Sequence, residues 1–367
     1  MAWRGVLPEG RPYLPCSHGT DFAACFVMQT FSSLLGDSVP PEALEIPSET
    51  TSDERKALFN FFATLWDGQG DICEIGPFLG GTTRAIAMGM LRNSRRSAAS
   101  RLLTYDKFAS YYEADALIEK LRPLIEKGRF DPPSITSCQV KPSFRAIFDQ
   151  LHRGQDYSHV VIARTATIPD LPGQVVDDER FQLDSARHFG AVFVDGCKSW
   201  FGTKHCMREA ARCTRPGGFF IFQDYGFHTC FWIPSFVAAM GDVFHLRWAV
   251  DYTYAFELTR ALDPAEIDRN FPDLPQQWDR AVFDRLFLSL IHQADDRGDT
   301  RGIVTAYLQH AAALAYLGVF AEARAEILEI AMNPVSEPYR LEVALALSSP
   351  TYRPDGRGGF EEIRFPD

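Results

Sequence analysis

The chain has 367 residues, 46% hydrophobic and 23% charged, with 29 phenylalanines, which suits two domains or one large domain with additions. A formal net charge of −11 argues against nucleic-acid partners, and no apolar run approaches the roughly 18 residues that cross a bilayer. The eight cysteines include no CxxC pair, and His205, Cys206 and Cys213 lack a second close pair for zinc. The start has no basic-then-apolar leader, so the expectation is a soluble, cytoplasmic protein. The basic cluster Arg92, Arg95, Arg96 and Arg101 reads as a solvated helix end and linker.

Residues 1–67 begin irregularly, with a short apolar stretch around Phe26 to Leu35, and end in a helix over "TSDERKALFNFFATLWDG". Thr51 and Glu54 have capping-box spacing, Leu58, Phe61, Phe62 and Leu65 recur at helical spacing, and Gly68 ends the pattern. Over 68–262 short apolar runs alternate with helices. "ICEI", "RLLTYD", "SHVVIA", "AVFVD" and "GGFFIFQD" read as strands. Helices fall at "TTRAIAMGML", Tyr111 to Lys127, "TKHCMREAARC" and "SFVAAM". That order predicts an α/β, Rossmann-like parallel sheet covered on both faces. "VFHLRWAV" and "YTYAFEL" are joined by little more than Asp251 and must pair antiparallel, because a parallel crossover needs a dozen residues or more.

Over 263–367 the pattern is helical at "AVFDRLFLSLIHQ", "GIVTAYLQHAAALAYLG" and "FAEARAEILEIAM", and the tail "SSPTYRPDGRGGFEEIRFPD" shows no periodicity. Near 303–334 the helices resemble a single tetratricopeptide-type hairpin, with Gly318 at the turn, Phe320 and Ala323 at packing positions and Pro334 past the end. One such unit makes no solenoid, so it reads as an appendage on the main domain or on a second subunit, a route to a homo-oligomer through the N- or C-terminal helices.

Between the first strand and its helix stands Glu74-Ile75-Gly76-Pro77-Phe78-Leu79-Gly80-Gly81. A strand, a glycine turn and a helix N-terminus make a cradle of unpaired N–H groups. A dinucleotide fingerprint wants GxGxxG; Phe78 replaces the middle glycine and Pro77 removes a donor, which weighs against NAD. The motif "EIGPFLGG" resembles the first motif of class I S-adenosylmethionine-dependent methyltransferases. Asp106 ends the second strand, Asp195 the fourth within "FVDGCKSW", and "RPGGFFIFQD" introduces the fifth, as in the macrocin O-methyltransferase-like subgroup. The resemblance spans Ile72 to Leu258 and implies a seven-stranded sheet, mostly parallel with the last strand antiparallel.

The resemblance also implies S-adenosyl-L-methionine as cofactor, with Glu74, Gly76, Pro77, Phe78, Gly80, Gly81, Thr82, Thr83, Asp106 and Lys107 at its site. Thr165 and Asp170 are the nearest substitutes for the adenine-binding acid, which is missing after "HVVIARTATIPD". It implies methyl transfer to a small-molecule acceptor, a hydroxyl of a sugar or secondary metabolite. His228 is the expected general base, because its unperturbed pKa lies near neutrality. Asp195 and Lys198 join it as catalytic candidates, with Tyr225 nearby. Phe227, Phe231, Trp232 and Trp200 either wall the acceptor pocket or belong to the core. In metal-using relatives a divalent ion lies between the strand-four acid and an acidic pair after strand five. Here that pair is Gln223-Asp224, so Asp195 and Asp224 would hold Mg²⁺ with one charge fewer. The competing reading is a non-catalytic scaffold of the same fold, recruiting a partner through its C-terminal helices.

Overall fold

The computed structural model describes residues 34–36, 39–109, 112–131, 143–176 and 179–366. The apolar stretch beginning at Phe26 lies mostly outside them, as do Cys16, Cys25 and Cys138. Helix α1 (Ser52–Asn60) opens with the expected box: Thr51 Oγ1 accepts from Glu54 N, and Glu54 accepts from Thr51 N at 2.8 Å. A π-helical turn over Phe61–Leu65 extends it, and the two stretches together occupy most of the helix read from the sequence.

Seven strands follow in one sheet: β1 (Asp71–Ile75), β2 (Leu102–Asp106), β3 (Val161–Thr165), β4 (Phe189–Val194), β5 (Thr214–Phe222), β6 (Phe244–Val250) and β7 (Thr253–Leu258). Their order is β3-β2-β1-β4-β5-β7-β6, with every pair parallel except those made by β7. This is the Rossmann-like, seven-stranded class I methyltransferase sheet, its last strand antiparallel. The order reverses between β1 and β4, and such a switch point opens a crevice beyond the carboxyl ends of the strands.

Period-two burial sorts the strand residues between two cores. Ile72, Ala191, Phe193 and Ile221 face α1 and α2 (Gly81–Arg92), where Leu58, Phe62 and Ile86 meet them. Cys73, Val192, Val194 and Phe220 face the other way, toward α5 (Trp200–Ala211) and α6 (Trp232–Ala239). Helices α3 (Ala114–Glu126) and α4 (Phe144–His152) close a third cluster beside β2 and β3. The α4 segment was not read as a helix from the sequence.

Helix α7 (Pro264–Asn270) leads to α8 (Arg280–Asp296), α9 (Thr300–Tyr316), α10 (Phe320–Met332) and α11 (Arg340–Ser348). Helix α9 is buried on two sides: Ala306, Ala312 and Ala313 join the core of the sheet, while Leu308, Ala311 and Ala315 pack on α10 and α11. The alanines of "AAALA" let two layers approach the same helix closely. A helical hairpin is present over α9 and α10, and Gly318 (φ 82°) makes its turn.

The tail is ordered as a two-stranded hairpin, β8 (Thr351–Pro354) with β9 (Phe360–Ile363), in the register Thr351↔Ile363. Asp355 makes the turn, accepting from Arg357 N and Gly359 N at 2.7 and 2.9 Å. Pro-Asp-Gly is a turn signal that an absence of periodicity conceals.

Candidate active site

The glycine loop is shaped by what lies behind it. A Cβ at Gly76 (φ 84°) would stand 2.7 Å from Gly196 N, so glycine lets the end of β1 approach the chain leaving β4. A Cβ at Gly80 (φ 89°) would stand 1.9 Å from His152 Nε2, and Gly80 N donates to Pro77 O at 2.8 Å to close the turn. His152 sits behind the loop, its ring contacting Leu79 O at 3.3 Å and the Tyr157 hydroxyl at 2.9 Å. Gly81 packs on the chain at Ser48.

Glu74 is fully buried and accepts from both Thr82 Oγ1 and Thr83 Oγ1 at 2.6 Å. Burial raises its pKa to about 7, against the lowering effect of hydrogen bonds from Thr82 and Thr83. Glu74, Thr82 and Thr83 thus brace the loop from beneath, with their side-chain oxygens turned toward one another.

Asp106 ends β2 at the rim of the crevice. Its Oδ1 accepts from Phe108 N at 2.8 Å, and its Oδ2 has a long 3.4 Å contact from Phe78 N, made with Phe78 in the left-handed region (φ 53°). Burial raises its pKa, opposed by those backbone N–H groups and by Lys107. A carboxylate has about four acceptor positions, so Asp106 retains acceptor capacity beyond these two contacts. Lys107, the next residue, is exposed. Thr165 receives a 3.5 Å contact from Arg145, and Asp170 accepts from Ser199 Oγ at 2.9 Å.

Beyond β4 and β5 a second group converges. Asp195 N donates to Ile75 O and Gln223 N to Val194 O, so the sheet ladder itself delivers both residues to the switch point. Lys198 Nζ donates to Asp195 Oδ1 at 3.0 Å and to Asp224 Oδ2. The carboxylate oxygens around the Gln223 amide can only accept, so its nitrogen is assigned toward them; in that orientation it donates to Asp195 Oδ1 at 3.0 Å and to Asp224 Oδ1 at 2.5 Å. Burial raises the Asp195 pKa; Lys198 pulls it down and Asp224 pushes it up. Burial alone would lower the Lys198 pKa, but Asp224 and then Asp195 outweigh it and hold the ammonium protonated. Its side chain remains 36% exposed, against 16% and 13% for the two carboxylates. Lys198 is therefore the most exposed of the three.

A divalent ion does not fit this group. Its ligands must turn oxygen lone pairs inward, whereas the atoms between Asp195 and Asp224 are N–H donors. Among the described residues no cluster of three His, Cys, Asp or Glu side chains has metal-binding spacing. The Mg²⁺ expectation is corrected accordingly, because Lys198 and Gln223 fill the place of the ion.

His228 is not brought to the cluster. It is 4% exposed, its Nδ1 has no hydrogen-bond partner among the described residues, and it packs at 4.9 Å on Phe227. Burial lowers its pKa to about 4, with the Ser349 backbone and Glu342 opposing. Trp200, Phe231 and Trp232 are core residues: Trp200 stacks on Phe271 at 4.0 Å, and Trp232 Nε1 donates to Cys197 O.

The C-terminal elements contribute residues that sequence reading missed. Gln309 of α9 is 2% exposed and donates to Tyr225 O at 2.7 Å and Phe227 O at 3.0 Å, fixing the loop after β5. Thr351 Oγ1 donates to Thr229 O, and Tyr352 lies edge-on to Trp232 at 5.3 Å with its hydroxyl 3.6 Å from Cys230 Sγ. Tyr352 and Cys230 lie close to Lys198, so the tail hairpin borders the acid cluster.

No protein-family model matches the chain, and no curated protein matches it. Among solved structures it is similar to the O-methyltransferase TomG from Streptomyces achromogenes, at 17% identity over 56% of this chain and 67% of that one, with a TM-score of 0.25. Similarity extends to the calicheamicin methyltransferase CalS11 (13% identity, 66% and 94% covered, TM-score 0.36) and to the O-methyltransferase NovP (13%, 65% and 100%, TM-score 0.33). At these values the likeness carries no argument about chemistry, which rests on the geometry above.

Proposed function

We propose that this chain is an S-adenosyl-L-methionine-dependent methyltransferase acting on a small-molecule acceptor, at a hydroxyl of a sugar or secondary metabolite. One observation carries the reading: Asp106, a half-buried carboxylate with unspent acceptor capacity, is tied to the Gly76–Gly80 loop beside the switch point. That residue suits a ribose diol, and the loop backbone with the N-terminus of α2 suits the methionine end. The bound cofactor supplies a sulfonium methyl, whose transfer to an acceptor oxygen leaves S-adenosylhomocysteine and one proton.

The protein holds the acceptor and receives that proton. Asp195 and Asp224 are the carboxylates at the crevice floor, and we assign proton acceptance to this pair rather than to His228. His228 lies buried against the C-terminal segment and is hard to protonate. Lys198 and Gln223 hold the pair in a fixed orientation. Lys107, exposed at the rim, is placed to meet the cofactor from solvent.

The competing scaffold reading retains the fold without the cofactor. Isothermal titration with S-adenosylhomocysteine separates the two. Saturable binding at one site per chain is expected, and no binding by the folded full-length chain would reject the enzyme.

A further inference from the structure

Two carboxylates at the ends of adjacent strands need a cation between them, and in this protein a side chain provides it. Asp195 and Asp224 bring two negative charges into a partly closed crevice, where unpaired anions are costly. The Lys198 ammonium contacts both, and the Gln223 amide donates to both from another direction. Four residues thus satisfy one another in a compact group with a net charge of about −1 by ordinary ionisation.

We propose that Lys198 is a tethered substitute for a divalent cation, making the site metal-independent while keeping a positive charge at the acceptor position. An ammonium has three N–H donors. Among the described residues the hydrogen-bond partners of Lys198 are Asp195 and Asp224, which leaves one donor for an acceptor oxygen. Its side chain is more exposed than either carboxylate, which leaves that donor open to an incoming group. Gln223 completes the exchange of roles: an acid there would add a charge that one ammonium cannot balance, whereas an amide adds a donor. Only the identity of the acceptor oxygen rests on the methyltransferase reading; the exclusion of a divalent ion follows from the donor set alone.

The test uses Mn²⁺ as probe, followed by its electron paramagnetic resonance signal during titration of the full-length chain. The wild-type protein and Lys198→Arg are expected to leave the free-ion signal unchanged. Lys198→Ala and Lys198→Asn remove the cation, let the Gln223 amide turn its oxygen inward, and should bind Mn²⁺ about tenfold more tightly or better, the scale on which groups around a metal act. Adding Asp224→Asn to either should abolish that gain.

Wild-type binding of Mn²⁺ that Asp224→Asn removes would overturn the proposal. So would folded Lys198→Ala and Lys198→Asn proteins that bind no more Mn²⁺ than wild type. If neither variant folds, the wild-type titration with and without Asp224→Asn decides. S-adenosylhomocysteine titrations on the same samples report separately on the cofactor reading: their failure would reject the methyltransferase and leave the Mn²⁺ result standing.

Discussion

At the scale of single residues, the site is a set of carboxylates, one buried and three half-buried, each held by different partners. Glu74 is enclosed and served by threonine hydroxyls, Asp106 is held by backbone N–H groups at the rim, and Asp195 and Asp224 share an ammonium. Glu74 yields a pH prediction. Its folded pKa of about 7 stands above the ordinary 4.5, so the native state retains a proton that the unfolded chain releases. The resulting stability is complete below the unfolded value and is lost as pH rises through the folded one. Glu74→Gln deletes this dependence. Urea unfolding should show the wild type losing about 1 kcal/mol or more relative to the variant between about pH 5 and about pH 8. Parallel pH profiles would contradict the assignment.

Asp106, Asp195 and the glycines drew attention in the sequence because their pattern is local, at strand ends and in one loop, and the structure places them along one edge of the sheet. The pairing of Lys198 with both acids could not be read there. Its contact with Asp224 depends on β4 and β5 lying side by side, a relation across 26 positions that no local pattern announces. The surroundings of His228 were hidden for the complementary reason. The residue type suits a general base, but its surroundings are made by Phe227, Glu342 and Ser349, the last two supplied by distant chain.

At the scale of elements, strongly periodic or alternating segments were readable and short irregular ones were not. The strands from "ICEI" to "YTYAFEL" stand where alternation and apolar runs put them, within a few residues. The β8–β9 hairpin was hidden because its strands have four residues each and are anchored by tertiary contacts. Helix α9 matters most among the C-terminal elements, because Gln309 reaches two backbone carbonyls in the loop after β5. Gln309→Leu leaves those carbonyls without that donor in a buried place. It should destabilise the protein by about 1–3 kcal/mol in urea unfolding. A change below about 0.5 kcal/mol, the range of ordinary surface substitutions, would mean that the loop is held by other contacts.

At the scale of the whole molecule, the strand reversal between β1 and β4 explains why residues far apart in sequence meet. Gly76 abuts Gly196, Asp195 N bonds Ile75 O, and the loops after the parallel strands β2, β4 and β5 leave the same edge of the sheet. The C-terminal helices and hairpin pack against that edge and bring Gln309 and Tyr352 to it. The central claim is that Asp106 holds the ribose of S-adenosylmethionine beside the glycine loop. The most direct measurement is calorimetric titration of S-adenosylhomocysteine into wild type, Asp106→Asn and Asp106→Ala, with melting curves to establish folding. Losing charged hydrogen bonds worth about 1.5–3 kcal/mol each should weaken binding by Asp106→Ala by about 100-fold, with Asp106→Asn intermediate. Wild-type affinity in a folded Asp106→Ala protein would contradict the account.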